Sequence, residues 1–296
     1  MSNDLQQAAT LLGKKVDAPK QYDSSILVRV NRDDNRTIYG IDSDNLPFVG
    51  YDVWNAYEIS FLTTKGLPVA LVAKIIYPAS SKYIVESKSL KLYLNSYNMT
   101  RIADTRAASI EAVKSLVASD LSSLLEAEVV VEFFDHPDNT PIFQQFPLVE
   151  NLDTVEDISF AEFKEQPSLL TDNVQYSDQY QDLIIGSNLL RSNCKVTHQA
   201  DWGSIFIKMR SKKVVDQASL LRYIVSFRDE FHFHEEVVEM VYKRLLDTFQ
   251  PSDLMVGAVY TRRGGIDICP IRATSVDLLE YNLVNSRVHC EKLLRQ

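Results

Sequence analysis

The sequence predicts an α+β chain made of two successive blocks of similar design. Three observations lead there. Apolar residues alternate over short runs and then switch to helical spacing, and this order of strands, helix and further strand occurs twice. Between the two occurrences, Glu150 to Asp182 carries nine acidic residues and a single basic one, Lys164. The chain has 296 residues, 45% of them hydrophobic, enough for two ordinary cores. The blocks share little identity, so the duplication rests on element order.

Residues 1–50 read as irregular, with a turn-rich stretch at Asn31-Arg32-Asp33-Asp34-Asn35. Trp54 to Leu62 alternates as a strand, Lys65-Gly66 turns, and Pro68 to Tyr77 is the hairpin partner. Glu86-Ser87-Lys88-Ser89-Leu90-Lys91-Leu92-Tyr93 also alternates; on a strand Glu86, Lys88 and Leu90 would share a face. Ile110, Val113, Leu116, Val117, Leu121 and Leu124 recur at helical spacing, and Glu128 to Phe134 is rich in β-formers. In the second block Ser204 to Met209 is a strand, with a partner strand expected near Leu220 to Phe227. Val237, Val238, Val241, Leu245 and Leu246 mark a helix. Leu254 to Thr261 is a strand, Arg263-Gly264-Gly265 a tight turn, and Ile266-Asp267-Ile268 opens the last strand. These limits give units at 1–150 and 183–296 joined by an acidic segment, 151–182. Phe160, Phe163, Tyr176 and Tyr180 in that segment predict that it packs partly on the body.

A net charge of −9 argues against coating nucleic acid, which needs a Lys/Arg surplus. Cys194, Cys269 and Cys290 are too few and scattered for a disulfide framework and suit a reducing compartment. Met1 to Lys15 is polar and lacks the apolar core of a signal peptide. The longest apolar stretch, Leu67 to Tyr77, is interrupted by Pro68 and Lys74 and falls short of the roughly 20 residues of a membrane span. A soluble, cytoplasmic protein with a small-molecule ligand is expected.

Chemistry concentrates in four places. Cys194 and Asp201 lie in the polar loop Ser192 to Ser204. Most free cysteines are small buried hydrophobes, but Ser192, Asn193, Thr197 and Gln199 are not core neighbours, and a thiolate is the best side-chain nucleophile near neutral pH. Asp201 reads either as a turn residue or as a proton donor whose pKa is raised by an apolar wall, with Trp202 as that wall. Phe233-His234-Glu235 opens a helix, where acidic residues suit the dipole. Alternatively, Glu235 accepts two hydrogen bonds from a guanine-like edge, with His234 as proton shuttle. His232 and His234 at i and i+2 would share a face only on a strand, and no Cys/His cluster completes a metal site. The Glu86 segment is either a solvated edge with protective lysines or a phosphate-binding surface, to which Arg262-Arg263-Gly264-Gly265 adds. There is no G-x-G-x-x-G and no Walker A loop. Spacing alone leaves the reaction open.

Taken together, these segments resemble the 7-cyano-7-deazaguanine reductases, the nitrile reductases of queuosine biosynthesis, in their long single-chain duplicated form. Glu86 to Tyr93, the Ser192-Asn193-Cys194 loop with Gln199 and Asp201-Trp202-Gly203, Phe233-His234-Glu235, and Arg263 to Ile268 match four family segments in order, within a likeness running from about Leu12 to Thr274. Lys195, His198 and Ala200 depart from the residues expected in the loop, and Cys269 stands where asparagine is usual. The resemblance implies a tandem tunnelling fold: two antiparallel four-stranded sheets, each with two helices on one face, assembling as a homodimer. It implies a covalent thioimidate on Cys194, with Asp201 protonating the nitrile nitrogen and His234 managing protons. Glu86 and Glu235 would hold the base, with Phe233 and Ser87 beside them. Lys88, Ser89, Lys91, Arg262, Arg263, Gly264 and Gly265 would meet the phosphates of NADPH. The substrate would be the free base, with no metal, nucleic acid or membrane partner. A pterin or purine cyclohydrolase and a non-catalytic purine-binding module are the alternatives on the same fold.

Overall fold

In the computed structural model the described residues are 19, 21–136, 140–293 and 296; the polar opening segment 1–15 lies outside them. The first alternating runs form a long hairpin, β2 (Val49–Leu62) and β3 (Pro68–Pro78), preceded by the short strand β1 (Arg29–Asn31). A second short strand, β4 (Tyr83–Val85), pairs with β1. Next come helices α1 (Ser87–Ser96) and α2 (Arg106–Leu125), then β5 (Val130–Phe134). The order then repeats with a longer hairpin: β6 (Gln175–Asn193), β7 (Ala200–Val214), α3 (Gln217–Ser226), α4 (His234–Phe249), β8 (Asp253–Tyr260) and β9 (Ile266–Ala273).

Two segments expected as strands are helices. In α1 the Glu86 carboxylate accepts from the backbone N–H of Lys88 at 2.9 Å and of Ser89 at 2.7 Å. Those bonds fix a helix start, and Ser89, Leu90, Tyr93 and Leu94 then fall on one buried helical face. Glu86, Lys88 and Leu90 therefore share no strand face. The second is 220–227, where Asp216 accepts from Ser219 N at 2.9 Å and Leu220, Leu221, Ile224 and Val225 are buried at helical spacing. These two helices carry the duplication residue by residue. Ser96 Oγ donates to the Tyr93 carbonyl at 2.6 Å, and Ser226 Oγ to that of Tyr223 at 2.7 Å. Each hairpin then bridges to the segment after its helix, Leu62 to Arg101 and Asn193 to Phe231.

The strands do not separate into two four-stranded sheets. The described residues form one antiparallel seven-stranded sheet, ordered β5-β3-β2-β9-β8-β7-β6, besides the small β1-β4 pair. The reason is the seam: β2 pairs with β9 continuously from Val49–Ala273 to Ala56–Ile266, fusing three strands of the first block to four of the second. One sheet face is covered by the helices. There Val113, Val117, Leu121 and Leu125 of α2 are fully buried at i, i+4 spacing, each stabilising by about 2 kcal/mol. The opposite face packs Val53, Ile76, Phe206, Met255 and Ile271 under the segment containing Phe143 and Phe146. The Phe143 and Phe206 rings stack at 4.2 Å. The acidic segment lies on the second core: Leu152, Val155, Ile158 and Phe160 pack against it, and Glu165 binds Arg244 at 2.9 Å. β6 begins within that segment and runs through residues 182 and 183.

Between β8 and β9 only Met255–Gly257 and Ile271–Ala273 are paired as a ladder, so the sheet is open between these strands at their turn end. That opening lies beside the seam of the two blocks and adjoins the site. Among the described residues no helix is long and apolar enough to cross a membrane.

Candidate active site

A cavity of about 620 Å³ occupies the seam. Trp54 of β2, Val85 of β4, and Glu86, Ser87, Lys88 and Lys91 at the start of α1 reach it from the first block. Cys194, Asp201, His234, Glu235 and Arg263 reach it from the second. Side chains more than a hundred residues apart thus meet because β2 pairs with β9.

The Cys194 loop is the tight turn of the β6–β7 hairpin. Cys194 N donates to the Gln199 carbonyl at 2.8 Å, and His198 N to the Cys194 carbonyl at 2.9 Å, with His198 in the left-handed region at φ 57°. The Thr197 N–H approaches Cys194 Sγ at 3.5 Å, and Cys194 itself is partly exposed. The loop is tied to the start of α4: Asn193 exchanges backbone hydrogen bonds with Glu230 and His232, and Lys195 Nζ meets Glu236 at 2.8 Å.

Asp201 is 3% exposed and accepts from Arg263 Nη1, while His234 Nε2 stands 3.4 Å from its second oxygen. Burial pushes the Asp201 carboxyl up, but the hydrogen bond and charge of His234 and the charge of Arg263 outweigh it and hold it below the ordinary range. The expectation of a raised pKa under a Trp202 wall is therefore overturned. Trp202 follows Asp201 on a strand and points to the other face; it is 36% exposed, between Arg191 and Arg228. The aromatic surface at this spot is Tyr260, on which the His234 ring stacks at 3.8 Å. His234 Nδ1 is buried with no hydrogen-bond partner.

Two carboxylates approach from opposite blocks. Glu86 is 3% exposed; burial raises its pKa against the pull of the two backbone N–H groups it caps. Glu235, in the first turn of α4, is also 3% exposed, and its Oε1 has no partner. Burial, with the Asp52 charge added, pushes its pKa up to about 8. Trp54 Nε1, another buried donor without a partner, belongs to a third residue of the lining. Unsatisfied buried groups are costly in a closed protein, so their convergence on one cavity marks a place for a polar ligand.

Of the phosphate candidates, Lys88, Lys91, Arg263 and Gly264 line the cavity. Gly264 and Gly265 both have positive φ, 60° and 77°, and a Cβ on Gly265 would stand 2.5 Å from Glu58. Ser89, Arg262 and Gly265 do not line it. Ser89 is buried beneath the helix start, its Oγ donating to the Glu86 carbonyl at 2.8 Å. Arg262 lies 3.4 Å over the Tyr57 ring, and Gly265 serves the turn. Ser87 and Phe233 also line the cavity. Thr197 and Gln199, the polar loop residues noted above, line the cavity too, and so do Trp54, Val196, Ile266 and Ile268, for which sequence alone suggests no role; Trp54 read only as a strand residue. Among the described residues no three or more His, Cys, Asp or Glu side chains gather as a metal-ion set.

A family profile described as "Nitrile reductase, 7-cyano-7-deazaguanine-reductase N-term" matches residues 18–133, and one described as "QueF-like protein" matches residues 200–277. The chain is similar to the NADPH-dependent 7-cyano-7-deazaguanine reductase of Rickettsia bellii (strain OSU 85-389), 41% identical over 285 residues, or 96% of this chain and 97% of the relative. The Rickettsia prowazekii (strain Madrid E) protein of that name is 40% identical over 98% of this chain and 99% of its own. The Psychrobacter cryohalolentis one is 40% identical over 91% and 95%. Among solved structures, the apo form of an archaeosine synthase QueF-Like aligns with a TM-score of 0.29 and 15% identity, over 34% of this chain and 98% of that one, a likeness too slight to argue from.

Proposed function

This chain belongs to the 7-cyano-7-deazaguanine reductase family, and we propose that it reduces the nitrile of 7-cyano-7-deazaguanine to an aminomethyl group with NADPH, a step toward queuosine in tRNA. The observation that carries this reading is the meeting of Cys194, Asp201 and His234 with Glu86 and Glu235 at one cavity.

A nitrile is a poor hydride acceptor, and adding a thiolate converts it into a C=N group that can be protonated. Cys194 attacks the nitrile carbon, forming the C–S bond of a thioimidate. The nitrogen takes up the proton that Asp201 and His234 share. An Asp201 ionised in the free protein acts by holding that proton on the His234 bond, and the unpartnered His234 Nδ1 gives a second route for it. NADPH, when bound, supplies hydride twice. After the first reduction the C–S bond breaks, the thiolate leaves and an imine remains; the second reduction and a further proton give the amine. Glu235 and Glu86 orient the base, Phe233 and Ser87 flank it, and the buried floor keeps water from the imine. Lys88, Lys91, Arg263 and Gly264 fit the cofactor's phosphates: three cations and one close backbone approach at a single rim. Ser89, Arg262 and Gly265 have supporting positions behind that rim.

A tandem tunnelling fold with units 1–150 and 183–296 and the connecting segment 151–182, a homodimer, and a cytoplasmic location complete the proposal. The repeated hairpin–helix–helix order supports the duplicated fold. A cyclohydrolase or a non-catalytic module is not favoured by the relatives. The test is to mix protein, 7-cyano-7-deazaguanine and NADPH and follow the nicotinamide absorbance. Two NADPH oxidised per amine formed supports the reaction; binding of the nitrile with no oxidation rules it out.

A further inference from the structure

Beneath the cavity floor lies a set of charges that the roles above do not use. Arg32, Arg36, Asp52, Glu239 and Arg272 are each at most 5% exposed. Arg32 bonds Asp52 at 2.5 Å and stands 3.7 Å from Glu239. Arg36 grips Glu239 through Nε and Nη2, both at 2.8 Å. Arg272 joins the two carboxylates, at 2.9 Å from each. Three guanidiniums thus face two carboxylates, which leaves one positive charge in excess. Glu235 precedes Glu239 by one helical turn and lines both the ligand cavity and a small hollow shared with Arg32 and Glu239. The other groups facing it are Asp52 on β2, Tyr77 on β3, Tyr260 on β8, Arg272 on β9, and His234 and Glu236 on its own helix, with Glu86 at the cavity's opposite side.

We propose that Glu235 exchanges a proton with solvent when the base binds, and that Arg32 and Arg272 are positioning residues that hold the anion so formed. The inference rests on the reading of the cavity as a base pocket and deepens it. A guanine-like edge presents two adjacent N–H donors and needs two acceptors opposite. A neutral carboxyl offers one acceptor and one donor, so the proton must leave before both bonds form. In the empty pocket the unpartnered Oε1 and the closeness of Asp52 favour keeping it. Under the ligand, the two N–H donors and the excess guanidinium charge favour losing it. The step moves one proton from carboxyl to solvent and no electrons.

The experiment is calorimetric titration of the full-length Cys194→Ala protein with 7-cyano-7-deazaguanine between pH 6 and 9, in buffers of different ionisation enthalpy. Removing the thiol keeps binding non-covalent and excludes its proton. The expected result is about 0.9 proton released per ligand at pH 7, half at pH about 8 and almost none at pH 9 or above. In Cys194→Ala/Glu235→Gln the release vanishes and affinity falls at least about tenfold. In Cys194→Ala/Arg32→Gln the midpoint of release rises by about one pH unit, and the affinity loss shrinks toward high pH. A merely structural role for Arg32 would weaken binding equally at every pH. Binding without proton release, or release that persists with Glu235→Gln, overturns the proposal, and neither result needs an Arg32 variant to fold. No binding at any pH sinks instead the base-pocket reading on which it stands.

Discussion

The β2–β3 and β6–β7 hairpins have the same neighbours and opposite chemical content. Each opens its block, each is followed by two helices, and each bridges to the segment between them. The first closes with Thr63 to Leu67: Gly66 N donates to the Thr63 carbonyl at 2.8 Å, and Arg101 folds over the tip with its Nη1 on the Thr64 carbonyl. The second closes with Cys194 to Gln199 and leaves its tip open to the cavity. The helices differ in the complementary sense. α1 presents its N-terminal carboxylate, Glu86, to the cavity, whereas the matching Asp216 at the start of α3 is absent from the lining. Each block thus supplies what the other lacks: a helix start from the first, a cysteine-bearing hairpin and the α4 start from the second. The lesson is that the proposed site is a local graft on a repeated scaffold, assembled only across the β2–β9 seam.

The largest test of that contrast is an exchange of tips. Replacing Cys194 to Gln199 with the Thr63 to Leu67 turn should lower kcat at least about 10⁴-fold while circular dichroism and melting change little. Retained turnover would mean that the hairpin tip is not where the blocks differ in function. The seam is the next target. Glu239→Ala leaves Arg32 and Arg272 with Asp52 alone and takes from Arg36 its carboxylate, and should cost about 3–5 kcal/mol in urea unfolding. Asp247→Ala, which breaks only the Lys243 pair at the half-exposed side of the same helix, should cost under about 1 kcal/mol. Equal costs would deny the network any special part in joining the blocks.

The rim gives a smaller contrast between neighbours. Lys91→Met should raise KM for NADPH about tenfold, the loss of about 1.4 kcal/mol of charge-assisted binding. Arg262→Met, which removes only the contact with Tyr57, should leave KM within about twofold. A further contrast concerns pH. The Glu235 carboxyl has a folded pKa near 8 against an ordinary 4.5, so the folded state binds this proton more tightly than the unfolded chain. Its contribution to stability is complete below about pH 4.5 and is lost as pH rises through about 8. The melting temperature of Glu235→Gln relative to the parent should therefore climb by a few degrees from pH 5 to pH 8 and then level. A flat difference would show that Glu235 is ionised already.

How much of this was legible in the sequence depended on whether the signal was local. The β2–β3 hairpin, α2, α4 and the final strands follow from alternation, helical spacing and glycine turns. The residues 86–93 and 220–227 did not, because short mixed runs fit either period; the capping bonds from Glu86 and Asp216 decide for helix. β6 escaped because its first half is an exposed edge, so Tyr176 to Asp182 has no buried face to create an alternating pattern. At the site, Cys194, Asp201, His234 and Glu235 stood out by residue type. The direction of the Asp201 pKa did not, since it is set by Arg263 and His234, which are far away in sequence. Trp54 and the Arg32–Asp52–Arg272–Glu239 network were equally hidden: charges scattered along the chain carry no local pattern, and only the strand pairing buries them together.

The account stands on a thiol from one block reaching a nitrile held by carboxylates of both. The most direct measurement is peptide mapping after incubation with 7-cyano-7-deazaguanine in the absence of NADPH. The prediction is a mass increase of one intact nitrile on the peptide bearing Cys194, lost in Cys194→Ala and greatly slowed in Asp201→Asn. An adduct on Cys269 or Cys290, or no adduct from a protein that still turns over, would contradict it.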